Sequence, residues 1–283
     1  MIPAAFDYAA PKTVDEALRL IRKHPKAKVM AGGQSLLSLM KLRLATPPLI
    51  VDLGRIKRLA YIKETKTGIA IGAMTHHAEI AASPIVRKRL TALAQAADAI
   101  GDLQVRNMGT IGGSLAHADP ASDYPAAFLA LDGVMVVRGA RARKIAAREC
   151  FTGLFTTSLK PGELITEIQF PIPLAGMRSA YVKMKHPASG FAIVGAAAAV
   201  RVGRDGRAQD VRLALTGAGP HAYRAGAVEA ILRGKTLDEA TVRAAMEHAA
   251  EGIDLLEDLA ADAAYRAQLV RVYGTRAVLA TLA

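Results

Sequence analysis

Two pairs of glycines are the residues best suited to do chemistry in this chain. The first sits in Ala31-Gly32-Gly33-Gln34-Ser35, followed by Leu36, and the second in Thr110-Ile111-Gly112-Gly113-Ser114. Without side chains, backbone N–H groups can approach a ligand closely, and the neighbouring hydroxyls of Ser35, Thr110 and Ser114 add donors. Each pair precedes apolar chain with helical character, so a helix N-terminus adds partial positive charge. Such donors suit a diphosphate. Taken singly, either pair reads as a tight turn; two pairs, both flanked by hydroxyls, favour one shared anion site. Asp119 and Asp123 follow closely enough to accept from a ribose hydroxyl or to cap a helix beginning near Tyr124. Asp119, before Pro120, fits a turn equally well, and Asp123 fits both the cap and the ligand contact.

Other candidates carry less. Gly217-Ala-Gly-Pro-His-Ala222 matches a dinucleotide fingerprint formally, but the strand before it reads as half of a hairpin and Pro220 removes a donor where one is needed. Asp238, at the spacing of a ribose-binding acid, sits where a helix cap explains it. Adjacent histidines, His76 and His77, point in different directions on a helix and read as surface or packing residues. Cys150 lacks an activating neighbourhood and reads as a buried structural thiol. No Ser/His/Asp or Cys/His constellation assembles.

Composition narrows the classes. With 52% hydrophobic and 22% charged residues over 283 positions, the chain reads as ordered throughout and large enough to bury a substantial core. One cysteine rules out an internal disulfide and any iron–sulfur cluster held within the chain. The net charge of +12 would suit a nucleic-acid binder, but the basic residues are dispersed, tryptophan is absent and aromatics make up 5%. A basic, solvated surface is expected instead. The N-terminus lacks the features of a signal peptide and the longest apolar run, Phe191 to Val200, is too short to span a bilayer, so a soluble cytoplasmic protein is expected.

These residues must be held by an α+β frame. Thr13-Val-Asp-Glu16 is a capping box for a helix that ends before Pro25, and a strand over 28–30 feeds the first glycine loop and a helix over 36–44. Strands at 49–52 and 69–72, a small helix at 75–81 and an Ala-rich helix over 85–99 lead to the second glycine loop. A helix over 124–131 and strands at 134–138 and 164–170 follow. After Pro171-Ile-Pro173, strands at 179–185, 191–202 and 210–215 are expected, the last two joined by a type I′ turn at Asp205-Gly206 and packed on one face. Helices over 223–233, 237–251 and 263–282 complete the chain.

At its two loops the sequence resembles the FAD-binding medium subunit of the xanthine dehydrogenase and carbon monoxide dehydrogenase (molybdenum hydroxylase) family. The likeness runs nearly end to end, through Ala31-Gly-Gly-Gln-Ser35 with Met40-Lys-Leu-Arg43, Arg106-Asn-Met-Gly-Thr-Ile-Gly-Gly-Ser114 with Asp119-Pro-Ala-Ser-Asp123, Pro161-Gly-Glu-Leu-Ile165 and Leu215-Thr-Gly217. It implies a two-lobed FAD-binding region of the vanillyl-alcohol-oxidase (PCMH) type over 1–175, with lobes 1–55 and 56–175, and a carbon monoxide dehydrogenase flavoprotein C-terminal-like α/β domain over 176–283. It implies FAD held at its phosphates by Ala31 to Ser35, with Leu36, and by Thr110 to Ser114. Asp123 would meet the nucleotide end, and the backbone at Leu164 would lie by the ring. Lys185 and Phe191 are placed there too, in a segment lacking the family's usual Arg and Asp. The implied partners are a small subunit with [2Fe–2S] clusters and a large subunit with the molybdenum cofactor, as a dimer of heterotrimers. The implied task is to pass electrons from the clusters through FAD to an external acceptor, with no catalytic side chain required. Two other readings stand beside it: a freestanding FAD oxidase, with Tyr181 or His186 as its acid or base, and a flavin-binding assembly protein.

Overall fold

The computed structural model describes residues 1–283 and distributes them over three main sheets and a two-stranded ribbon. In the first sheet β1 (Asp7–Ala9), β3 (Leu49–Asp52) and β2 (Lys28–Met30) run parallel in the order β1-β3-β2. Parallel neighbours need crossovers, and these contain α1 (Val14–Lys23) and α2 (Leu36–Lys41). Thr13 caps α1 by accepting from the Glu16 N–H, while the Glu16 carboxylate accepts from the Lys12 N–H, so the box closes one residue earlier than its sequence pattern suggests. Val14, Ala17, Leu18 and Ile21 then pack on Leu49 and Val51. Helix α2 stops short of the expected Leu44: Arg43 takes a left-handed backbone (φ 58°) and the Leu44 N–H closes back on Leu39 O.

The second sheet is antiparallel, in the order β4 (Ile62–Thr65), β5 (Gly68–Gly72), β10 (Leu164–Pro171), β6 (Val134–Arg138), β7 (Ala142–Ala146). Between β5 and β6 the chain forms α3 (His77–Ala82), α4 (Pro84–Arg89), α5 (Thr91–Ala99), α6 (Leu103–Met108), α7 (Ile111–His117) and α8 (Tyr124–Ala130). The helix expected over 85–99 is therefore two, broken at Leu90, with Ser83 accepting from Val86 N–H and Pro84 at the first position of α4. After β7 comes the ribbon of β8 (Phe151–Gly153) and β9 (Thr156–Thr157). Cys150 is fully buried there, its thiol pushed up to about 12 by burial.

The third sheet is antiparallel in sequence order: β11 (Met177–Lys185), β12 (Ala192–Val202), β13 (Ala208–Thr216) and β14 (Tyr223–Arg224). Between β12 and β13 only Gly206 has positive φ, so the turn is not type I′; a bulge at Arg201/Val202 takes up the difference. Helices α9 (Gly226–Leu232), α10 (Glu239–Met246) and α11 (Ala263–Ala280) follow, the first beginning later than expected because Tyr223 and Arg224 extend the sheet. Asp238 caps α10 by accepting from the Thr241 N–H. Gly217 to Ala222 connect antiparallel β13 and β14, not a parallel crossover. No helix is long and apolar enough to cross a membrane.

This third sheet is covered on both faces, not one. Ala196, Ala198, Val200, Val211 and Leu213 pack with α9 to α11, while Ala197, Ala199, Ala214 and Tyr181 join the core of the second sheet and its helices. A strand made largely of alanine lets α8 and α11 approach it from opposite sides. Polar bonds reinforce the seam. Arg212 and Arg224 both reach Asp132, at 2.7 and 3.1 Å, and Gly217 N–H donates to Pro120 O at 2.6 Å. At Gly195 a Cβ would overlap the Tyr181 hydroxyl oxygen, so the glycine makes room for that ring. Gly195→Ala is expected to destabilise the fold by about 1–3 kcal/mol through this overlap, as read from urea unfolding, and adding Tyr181→Phe is expected to recover part of the loss.

Candidate functional site

Strand β2 runs directly into the first glycine turn, where Gly33 takes φ +73° and swings the chain towards α2. The backbone N–H groups of residues 31 to 35 donate to no carbonyl and no side chain of the protein. Four of these residues are half-buried and Gln34 is exposed, so the five donors are open to a ligand or to water. They face a cleft of about 950 Å³.

The second glycine pair lies against the first. A Cβ on Gly32 would overlap the Met108 carbonyl oxygen and come within 2.7 Å of Gly109 Cα, and one on Gly113 would stand 3.4 Å from Ala31 Cβ. This pair is not a loop, however. Gly112 and Gly113 form the first turn of α7, which Thr110 caps by accepting from the Gly113 N–H at 3.2 Å. Gly112 N–H donates to Ala73 O at 2.9 Å, Ile111 N–H to Thr75 O at 3.2 Å, and Ser114 N–H to Thr110 O at 3.0 Å. The donors expected from this segment are thus occupied inside the protein, apart from the Thr110 N–H. Its glycines serve close packing instead: a Cβ on Gly112 would come within 2.6 Å of Ala73 Cβ.

Of the residues expected to form the site, 31 to 36, Thr110, Gly112, Gly113, Ser114, Asp123, Leu164 and Phe191 line the cleft. Ile111 is fully buried beneath it, and Lys185 lies outside, in a neighbouring hollow. Asp119 makes the turn foreseen for it, accepting from Ala121 N–H at 2.9 Å. Ser114 and Ser122 hydroxyls share a bond of 2.7 Å.

Asp123 departs from expectation. Its side chain does not cap α8. It accepts from the Tyr181 hydroxyl at 2.5 Å and from the Lys183 ammonium at 2.7 Å, and Lys183 also donates to Gly190 O at 2.7 Å. The pair is almost wholly buried, with side chains 5% and 4% exposed. Burial draws the Asp123 carboxyl up and the Lys183 ammonium down, each opposed by the other's charge. Lys183, which no sequence pattern singled out, is therefore the cation that anchors Asp123.

His77 also belongs to the cleft wall. It is 4% exposed, its Nδ1 lies 3.1 Å from the Tyr124 hydroxyl, and its Nε2 rests beside Gly109 with no protein hydrogen-bond partner. Burial holds its pKa down to about 3, with the charges of His76 and Arg106 adding to the effect. The ring is neutral at ordinary pH. Its neighbour His76 gave no sequence cue that one of the two turns inward; the apolar spacing of His77 with Ile80 and Ala81 did.

Two family models cover the chain: the FAD binding domain in molybdopterin dehydrogenase matches residues 4–173, and the CO dehydrogenase flavoprotein C-terminal domain matches residues 179–281. The chain belongs to the FAD-binding medium subunits of the molybdenum hydroxylase family. It is 39% identical to the carbon monoxide dehydrogenase medium chain of Hydrogenophaga pseudoflava, covering 100% of this chain and 99% of the relative. It is 38% identical to subunit alpha of the 6-hydroxypseudooxynicotine dehydrogenase complex of Paenarthrobacter nicotinovorans, over 100% and 96%. The structure of carbon monoxide dehydrogenase from Hydrogenophaga pseudoflava lacking the Mo-pyranopterin moiety superposes with a TM-score of 0.96 at 41% identity, over 100% and 99% of the two chains. As in other medium subunits of molybdenum hydroxylases, the cofactor of this chain is FAD.

The His77 geometry has a pH consequence. Its native pKa of about 3 lies below the usual value of 6.5, so the unfolded chain binds a proton that the native chain refuses between those pH values. The stability it contributes is present above pH 6.5 and is lost as pH falls towards 3. His77→Gln is expected to flatten the urea-midpoint profile over this window, removing a slope of up to about 1.4 kcal/mol per pH unit.

Proposed function

We propose that this medium subunit works in a heterotrimeric molybdenum hydroxylase. A small partner would carry [2Fe–2S] clusters, a large partner the molybdenum cofactor, and two heterotrimers would pair. What FAD supplies when bound is redox chemistry, linking electrons from the partner clusters to an external acceptor. The chain's own residues bind, orient and enclose it. The observation that carries this reading is the run of free N–H groups from Ala31 to Ser35, pressed by Gly32 against the second turn at the edge of a large cleft.

The donor set matches the cofactor. Free amides beside the Thr110 N–H form a concave anion site of the kind that grips a diphosphate, and a cleft of about 950 Å³ sits at the upper end of the range for ligand sites, roughly 300–1,000 Å³. In this assignment residues 31 to 36 hold the phosphates. Thr110, Gly112, Gly113 and Ser114 shape the floor with Ile111 behind them. Asp123 bounds the nucleotide end, fixed by Tyr181 and Lys183, and Leu164 and Phe191 flank the ring. Lys185 is left out of this set. The division at residues 175/176 goes with the same reading, the N-terminal part holding the turns and the C-terminal part bracing Asp123.

A freestanding oxidase would need a substrate-facing acid or base. Tyr181 is buried with its hydroxyl on Asp123, and His186 Nδ1 accepts from the Ala188 and Ser189 N–H groups of its own turn. Both are structurally engaged. The relatives also differ in what their names say they act on, carbon monoxide in one and 6-hydroxypseudooxynicotine in another. Substrate choice in this reading lies with the large partner.

The test is FAD titration of the purified chain, followed by flavin absorbance. Gly32→Ala forces the two turns apart and is expected to weaken FAD binding at least tenfold while far-ultraviolet circular dichroism stays native. Gly226→Ala, at a helical glycine with open space around it, is expected to leave binding unchanged. Equal affinities in the two variants would overturn the assignment.

A further inference from the structure

Beside the cleft lies a second hollow, of about 490 Å³, lined by the end of α5 (Asp98), α6 (Arg106), β11 (Lys183, Lys185) and α11 (Tyr273, Arg276). Four of these six residues are cationic. Lys183 is neutralised by Asp123, but Arg106, Lys185 and Arg276 have no carboxylate partner, and neither does Asp98. Two of the cations are held in place. The Arg106 guanidinium donates through Nη1 to Ile100 O at 2.9 Å and Gly101 O at 3.3 Å, leaving its other N–H groups unused, and Arg276 lies 4.9 Å over the Tyr273 ring. A guanidinium fixed in advance loses little further freedom when it meets an anion.

We infer that this hollow is a binding site for a small phosphate-bearing ligand, separate from the FAD cleft. Three uncompensated cations converging on one space repel each other, and one carboxylate would relieve only a third of that charge. A phosphate or diphosphate presents several oxygens and more than one charge, and matches the fork geometry of arginine. Asp98, with no ion-pair partner, is placed to accept from hydroxyl groups of the same ligand, which favours a nucleotide over a bare anion. The volume is within the range for small-molecule sites, about 300–1,000 Å³. The partition from the FAD cleft is thin and made of backbone. Gly101 lines both spaces, and a Cβ on Gly190 would come within 3.3 Å of both Gly101 Cα and Lys185 Cε.

The test uses the full chain saturated with FAD, so that the cleft is filled, titrated calorimetrically at fixed ionic strength with ADP and with inorganic pyrophosphate. Saturable binding of at least one probe is expected, weakened at least tenfold by Lys185→Ala with Arg276→Ala. Arg233→Ala with Lys235→Ala removes the same charge from outside the hollow and is expected to leave binding unchanged. ADP binding more tightly than pyrophosphate identifies a nucleotide; equal affinities identify an inorganic anion. No saturable binding, or equal weakening in both double variants, overturns the proposal. Flavin absorbance recorded before the titration reports FAD binding separately, so the two readings fail independently.

Discussion

Backbone-to-backbone contact at Gly32 is the constraint on which the site depends. The first glycine turn belongs to the parallel sheet and the second to the helical excursion of the antiparallel sheet, and they meet with no side chain between them. Any larger residue at position 32 would collide with the Met108 carbonyl, and because carbonyl oxygen belongs to rigid helix-end backbone, relief would require moving a whole turn. The five free amides of residues 31 to 35 stand beside the second turn only while that contact holds. A sheet of three short parallel strands is a small foundation, so much of its stability comes from the shared core in which Val14, Leu18 and Val51 pack with Leu59, with Met74 just after β5 and with Leu164 of β10.

The C-terminal region bears on the site through polar contacts at the seam. Thr216 Oγ1 lies 2.7 and 2.8 Å from the carbonyl oxygens of Pro120 and Ser122, Gly217 N–H donates to Pro120, and Ala192 N–H donates to Ala121. Four contacts thus clamp the segment 119 to 123 from the third sheet. Asp123 is then fixed at its carboxylate by Tyr181 and Lys183. Breaking one partner of such a buried pair leaves an uncompensated charge, whereas the intact pair is close to neutral in net stability, so its value is in fixing geometry. The room for Tyr181 is provided by the missing side chain of Gly195, one strand away.

Helix α1 was legible in the sequence because burial and periodicity agree in it; β12, β13 and α11 also lie close to where they were expected, although β12 is buried along nearly its whole length and the buried side of α11 includes Arg266, Gly274 and Thr275. The parts that escaped have physical reasons. β4 and β7 are edge strands with largely exposed, charged residues, so no alternation marks them. The break at Leu90 escaped because α5 begins there with no side-chain cap, so no capping residue in the sequence marks its start. The glycine pairs were found correctly as features, but sequence cannot say whether a glycine admits a ligand or a neighbouring backbone. Gly33 supplies a positive φ at the turn, while Gly32 and Gly112 admit a neighbouring backbone. Asp123 read as a helix cap because it precedes Tyr124; its true partners come from residues 181 and 183, and nothing local announces so distant a pairing.

The electrostatics of the cleft follow from these placements. Of the groups that line it, Asp123 is paired with Lys183, Glu163 with Arg143, and His77 is neutral, while the free amides of residues 31 to 35 add oriented peptide dipoles. Peptide dipoles do not titrate and cannot rotate without unfolding the turn, so their orientation is the same across the pH range in which the protein is folded. That arrangement suits a carrier of electrons better than a catalyst of bond making. An acid–base catalyst needs a group whose charge changes near working pH, and burial takes His77 out of that range by holding its pKa down to about 3. Arg106, Lys185 and Arg276 lie instead on the other side of the Gly101–Gly190 partition, in the second hollow.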